Sequence, residues 1–225
     1  DSLEIDADFI PLWFSGNGDL STSAVFAGYG FDIKEDSLVW NDYGGIDVDG
    51  KWVMVMRHSP ARDNPHSLYA SHAELHKKMV VARDRGAVGI LYISQVEDST
   101  LIPLRYHAGY SKAGMPAIHL SNKQADELLN SVGRSRKAIQ TKMDRTLSPL
   151  TFDMPNTIIS ASVELKSVYI RAANVLGKIT SRNHKFRDKY IVVGAHFDHL
   201  GYGGPGTGSR KPDTTAIHSG ADDNA

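Results

Sequence analysis

Ile191-Val192-Val193-Gly194-Ala195-His196-Phe197-Asp198-His199 is the stretch from which the rest of this chain is best read. A hydrophobic run ending in a His and an Asp two residues apart is a common way to build a metal site. Strand alternation puts His196 and Asp198 on one face, where His196 can ligate a metal while Asp198 accepts its other ring N–H. After a glycine-rich stretch comes Gly220-Ala221-Asp222-Asp223-Asn224-Ala225, whose paired carboxylates are hard oxygen ligands on a polar loop. Half of a catalytic metal site is expected here.

Working outward, Tyr190 to His196 reads as an inner strand, apolar almost throughout because both faces are covered. Ligands at the carboxyl end of such a strand occupy the usual site position in open α/β sheets. Upstream, Ile158 to Leu165 and Val168 to Ile179 suggest a hairpin turning at Lys166-Ser167. The texture of the chain changes near residues 145–155. Before that junction, Ser23 to Gly30, Lys51 to Arg57, Val88 to Ile93 and Met115 to Leu120 read as short strands. Ser71-His72-Ala73-Glu74 has the form of a capping box, with Leu75, Met79 and Ala82 as the stripe of the helix behind it. Ser121, with Gln124 three residues on, opens a second helix. These spacings predict a small α/β or α+β domain.

"VVGAHFDHLG" followed by "HSGADDNA" resembles the co-catalytic zinc peptidases of family 28, the group that contains bacterial leucyl aminopeptidases and glutamate carboxypeptidases. The resemblance implies two zinc ions per complete site. His196 would be a ligand of one, Asp198 its catalytic orienting partner, Asp222 the bridge between the two metals and Asp223 structural support. His199 and His218 flank the motif and are candidates for substrate contact, ordinary hydrogen-bonded loop histidines being the plainer reading. The family's Glu-Glu pair occurs nowhere in these 225 residues. The chain is therefore expected to be an internal fragment, inactive alone, whose partner is the remainder of its own catalytic domain.

Further upstream, "VFAGYGF", "WNDYGGIDVDGKWVMVMRH", "ARDRGAVGILYIS" and "MPAIHLS" follow the order of landmarks of a protease-associated (PA) domain. The organisation that this resemblance implies is residues 1–20 as a linker from the catalytic domain, 21–150 as the PA domain and 151–225 as the incomplete N-terminal part of the catalytic domain. The implied fold class is α/β: a small mixed α+β domain with a sandwich- or barrel-like β core, then the first strands of a zinc-peptidase sheet. In relatives the inserted domain lies over the active-site mouth, where it restricts or helps to bind substrate.

Composition limits the alternatives. A net charge of −1 offers no electrostatic case for nucleic acid or an anionic membrane, and no apolar run approaches the twenty or so residues of a membrane span. The absence of cysteine excludes thiolate metal sites. No signal peptide opens the sequence, and export to the periplasm or the extracellular space is implied by the resemblance alone.

Other features carry less. His72 and His76 lie four apart, but Glu74 sits one position late for H-E-x-x-H, so a solvated helix face is expected. "GGPGTGSRK" has Ser209 where a phosphate loop needs Lys. Trp13, Trp40 and Trp52 are read as packing residues, and Arg134-Ser135-Arg136-Lys137 as solvated surface.

The function expected of the parent protein is that of a di-zinc aminopeptidase, removing N-terminal residues from a peptide substrate through a metal-bridging hydroxide. Its alternatives are a non-catalytic peptide- or protein-binding PA module and a related zinc carboxypeptidase or deacylase.

Overall fold

The computed structural model describes residues 2–64, 66–104, 114–166, 171, 173–196 and 217–218. In chain order its elements are β1 (Phe9–Pro11), β2 (Gly18–Ala27), β3 (Asp32–Glu35), β4 (Leu38–Asn41), β5 (Trp52–Met56), α1 (Leu75–Asp84), β6 (Gly89–Ile93), β7 (Ala117–Leu120), α2 (Asn122–Ser131), α3 (Arg136–Thr146) and β8 (Thr151–Val163). Short 3-10 turns cover Ala70–His72 and His184–Phe186. The chain divides into two units, Asp1–Ser167 and Val168–Ala225.

The first unit is a mixed α/β domain. Its six-stranded sheet runs β1-β7-β6-β5-β2-β8, and β3 and β4 form a separate two-stranded sheet. Strands β2, β5, β6 and β7 pair in parallel, while β1 and β8 close the two edges antiparallel. The expected sandwich- or barrel-like β core takes the form of this larger sheet with the hairpin beside it.

Parallel strands covered on both faces should be apolar without alternation. Strands β5, β6 and β7 are buried at every position. Alternation still sorts the side chains between two cores. Trp52, Met54 and Met56 join Leu91, Ile93, Leu129, Ile139 and Met143, so α2 and α3 cover that face. Val53 and Val55 join Ile90, Tyr92, Met79 and Ala82, which places α1 on the other. Gly89 is required by this packing, because a Cβ there would lie 2.4 Å from the Trp52 ring.

Several sequence expectations change. The segment read as a linker supplies β1 and the buried Leu12 and Phe14, since β1 finds an open edge on β7. Ser71 does not cap α1: it is used in the 3-10 turn, and the helix starts from Glu74 without a side-chain cap. Ser121 does cap α2, accepting from the Gln124 N–H at 3.4 Å. A third helix, α3, occupies the stretch that begins in the basic run.

In the expected hairpin of 158–165 with 168–179, the first arm belongs to β8, which pairs with β2 from Gly18↔Val163 to Ala27↔Thr151, while 167–170 and 172 lie outside the described residues. Residues 173–180 form no strand. Nor does the run from Tyr190 to His196, in which Ile191 is 96% and Val193 91% exposed. An apolar run becomes an inner strand only where neighbouring strands offer both ladders, and among the described residues none pairs with it. The first strands of a peptidase sheet are thus not formed among the described residues of the second unit.

Candidate functional site

Of the residues in the predicted metal motif, His196 and His218 fall among the described ones, the first exposed and the second half-buried. Asp198, His199, Asp222 and Asp223 lie outside the described residues. Among the described residues no three His, Asp or Glu side chains gather as a metal site. The chemistry of the motif's donors, one imidazole and carboxylates with no thiolate, fits zinc.

The described polar chemistry gathers at the carboxyl ends of the parallel strands, where open α/β sheets place their ligands. Arg57 and His58 leave β5, Ser94 and Gln95 leave β6, and His119 lies in β7. The Arg57 Nη1 donates to Ser94 Oγ at 2.9 Å, and Ser94 Oγ lies 3.0 Å from His119 Nε2. His119 Nδ1 accepts from the Ile102 N–H at 3.0 Å. That acceptor role places the ring proton on Nε2, so His119 donates to Ser94 and cannot take its proton. The pair resembles a nucleophile and its base only in its spacing. Burial, reinforced by the Arg57 charge, pushes His119 down to about 3, which keeps the ring neutral.

Asp98 is the counter-charge of this cluster. His58 Nε2 lies 2.8 Å from its Oδ2, and Arg62 Nη2 donates to Oδ1 at 3.0 Å. Partial burial would raise the Asp98 carboxyl. The bonds from Arg62 and His58 and the charge of Arg57 outweigh that, holding it below the usual range. His58 is held down by burial and by Arg57, against the pull of Asp98. Its backbone is left-handed, with φ 58°.

Three further groups brace the same end of the sheet. Lys78 is buried, donates to the carbonyls of Met56 and His58, each at 2.7 Å, and lies 4.8 Å from the Phe31 ring centre. Asp42 is also buried and accepts from the Phe31 N–H at 2.9 Å. Burial pushes its carboxyl up to about 7 in spite of that bond and of Lys78. Arg136 of α3 pairs with Asp126 at 2.9 Å and donates to the carbonyls of Ser94 and Gln95 at 3.0 and 3.2 Å. The basic run read as solvated therefore contains a buried structural arginine.

Beside this cluster opens a cleft of about 270 Å³ lined by Trp13, Arg57, His58, Glu74, Leu75 and His76. His72 lies in the 3-10 turn and faces Glu35 at 3.1 Å, while His76 lies in α1 and packs edge-on against Phe14. The solvated helix face expected for this pair is not formed: the two histidines lie in different elements and both are partly buried. Trp40 and Trp52 are core residues, and Trp13 is only partly buried.

The PA domain model matches residues 16–128, just over half of the chain. The chain belongs to the PA domain family. Residues 174–225, which contain the His196 and Asp222 motifs, match the model of Peptidase family M28. Among solved structures, an aminopeptidase from Aneurinibacillus sp. strain AM-1 aligns with a TM-score of 0.40 and 18% identity, over 57% of this chain and 26% of its own. A peptidase M28 precursor from Shewanella amazonensis SB2B aligns with a TM-score of 0.31 and 18% identity, over 68% of this chain and 33% of its own. The chain thus spans about a quarter to a third of the length of these structures. A search of curated proteins finds no match.

Within the PA domain, sequence reasoning passed over the residues that now carry the polar cluster. Asp98 belongs to no motif, and Ser94, His58 and His119 lie inside the PA-domain landmarks, which assign them no role in a site. The available signal was positional: polar residues placed immediately after apolar runs that end on the same side of a parallel sheet.

Proposed function

We propose that this chain belongs to a metal-dependent peptidase of the aminopeptidase kind, with the PA domain as a non-catalytic module. The observation that carries the reading is the Peptidase family M28 match over 174–225, downstream of the PA domain match over 16–128. In this reading His196 and Asp222 hold zinc, Asp198 accepts the remaining ring N–H of His196 and so sets its tautomer, and Asp223 supports the loop. His199 and His218 flank these ligands in the sequence and are the candidates for substrate contact. Zinc held there would supply Lewis-acid polarisation of a scissile carbonyl. Residues 151–225 are proposed as the beginning of the catalytic domain, and the protein as exported, which cell fractionation tests.

The deciding experiment measures hydrolysis of a panel of aminoacyl-p-nitroanilides by the protein that carries this chain. It is run with and without chelator, beside Asp222→Ala. Chelator-sensitive turnover lost in the variant supports the aminopeptidase and reveals its side-chain preference. Zinc-loaded protein inactive on the panel but active on acyl-amino acids or on C-terminal residues would make it a deacylase or carboxypeptidase.

A second reading is a binding module that performs no chemistry. It is favoured by the PA domain forming a six-stranded sheet with a core on each face and a cleft among its described residues. Absence of both turnover and bound zinc would select it.

A further inference from the structure

We propose that the cleft between the end of β5 and the start of α1 binds a small α-amino acid as its zwitterion. Arg57 stands at its edge with one hydrogen bond among the described residues, to Ser94 Oγ at 2.9 Å, and with Asp98 Oδ2 at 3.8 Å. Most of the guanidinium's five donors are thus unspent, on a side chain already fixed in direction. A planar fork held in this way matches a carboxylate.

Glu74, exposed just ahead of α1, lines the same cleft and makes no ion pair among the described residues. A cation and a carboxylate share this space without closing on each other. An α-carboxylate and an α-ammonium on one carbon complement that pattern. Trp13 and Leu75 offer apolar surface for a side chain. A volume of about 270 Å³ accommodates a ligand of this size.

The recognition surface is preformed. His119 donates to Ser94 from within the core, so the hydroxyl that positions Arg57 is itself held. His58, beside Arg57, keeps its left-handed backbone through the bond from Lys78 to its carbonyl and through the contact of its ring with Asp98. A non-glycine residue in this conformation persists only where its surroundings over-determine it, and such residues cluster at ligand sites.

The test is a titration of the 225-residue chain with L-leucine, N-acetyl-L-leucine and L-leucinamide, read by tryptophan fluorescence and by calorimetry. Trp40 and Trp52 are 1% and 0% exposed, so a ligand in the cleft reports through Trp13. Saturable binding of leucine is expected, weakened roughly tenfold or more by blocking either end group, by Arg57→Gln and by Glu74→Gln. Glu74 is exposed, so its variant remains informative even where Arg57→Gln unfolds. No saturable leucine binding at millimolar concentration overturns the proposal, as does equal binding of the N-acetylated analogue. Binding is read without turnover, so its failure and that of the peptidase reading are distinguishable.

Discussion

The Nζ of Lys78 lies 2.7 Å from the carbonyl oxygen of His58, so a buried lysine holds a residue whose backbone is left-handed. The same nitrogen donates to the Met56 carbonyl, at the last residue of β5. Burial lowers the lysine well below its ordinary range, against the pull of Asp42. Lys78→Met keeps the aliphatic packing and removes the donor from both carbonyls. We expect a loss of about 2–4 kcal/mol of unfolding free energy, measured by urea denaturation. An unchanged midpoint would mean that desolvation of the charge cancels its bonds.

Asp42 supplies a pH signature. Its folded carboxyl titrates at about 7, against an ordinary value of 3.8, with burial as the main cause. Because the folded value is the higher one, the contribution to stability is complete below pH 3.8 and is lost as pH rises through 7. Asn at this position still accepts from the Phe31 N–H and does not ionise. Asp42→Asn should therefore lose less stability than the parent between pH 5 and 8, by a difference on the order of a few kcal/mol. Urea midpoints of both proteins at the two pH values check this, and parallel losses would show that Asp42 is not the titrating group.

Arg136 joins α2, α3 and the end of β6 through Asp126 and the Ser94 and Gln95 carbonyls. Arg136→Ala leaves buried carbonyls without a donor and should cost about 2–4 kcal/mol. Asp126→Ala, at a side chain 44% exposed, should cost about 1 kcal/mol or less. A double-mutant cycle on thermal unfolding separates the ion pair from the carbonyl bonds.

These residues also show where the sequence stops being legible. The central strands could be read because burial on both faces leaves an unbroken apolar run, as in Trp52 to Met56. The α2 cap could be read because Ser121 and Gln124 are local partners. Arg136 could not, since its burial depends on which face α3 turns toward β6, and Arg134-Ser135-Arg136-Lys137 is basic on any face. The run from Ile191 to Val193 has strand composition, yet composition cannot supply the neighbouring ladders a strand needs. The polar cluster around Asp98 joins residues 40 positions apart that share no local pattern.

The motif makes a last prediction that does not depend on catalysis. A carboxylate accepting the second N–H of a ligating imidazole fixes its tautomer and raises its basicity, and losing that acceptor typically costs 10–100-fold in metal affinity. In the protein that carries this chain, Asp198→Asn should weaken zinc affinity by about 10–100-fold, read by competition with a chromogenic chelator. His196→Ala and Asp222→Ala should each weaken it further, because they remove donors themselves. Asp223→Asn should do less than either. Equal zinc affinity in the parent and in His196→Ala would remove the imidazole from the ligand set, and with it the assignment of Asp198.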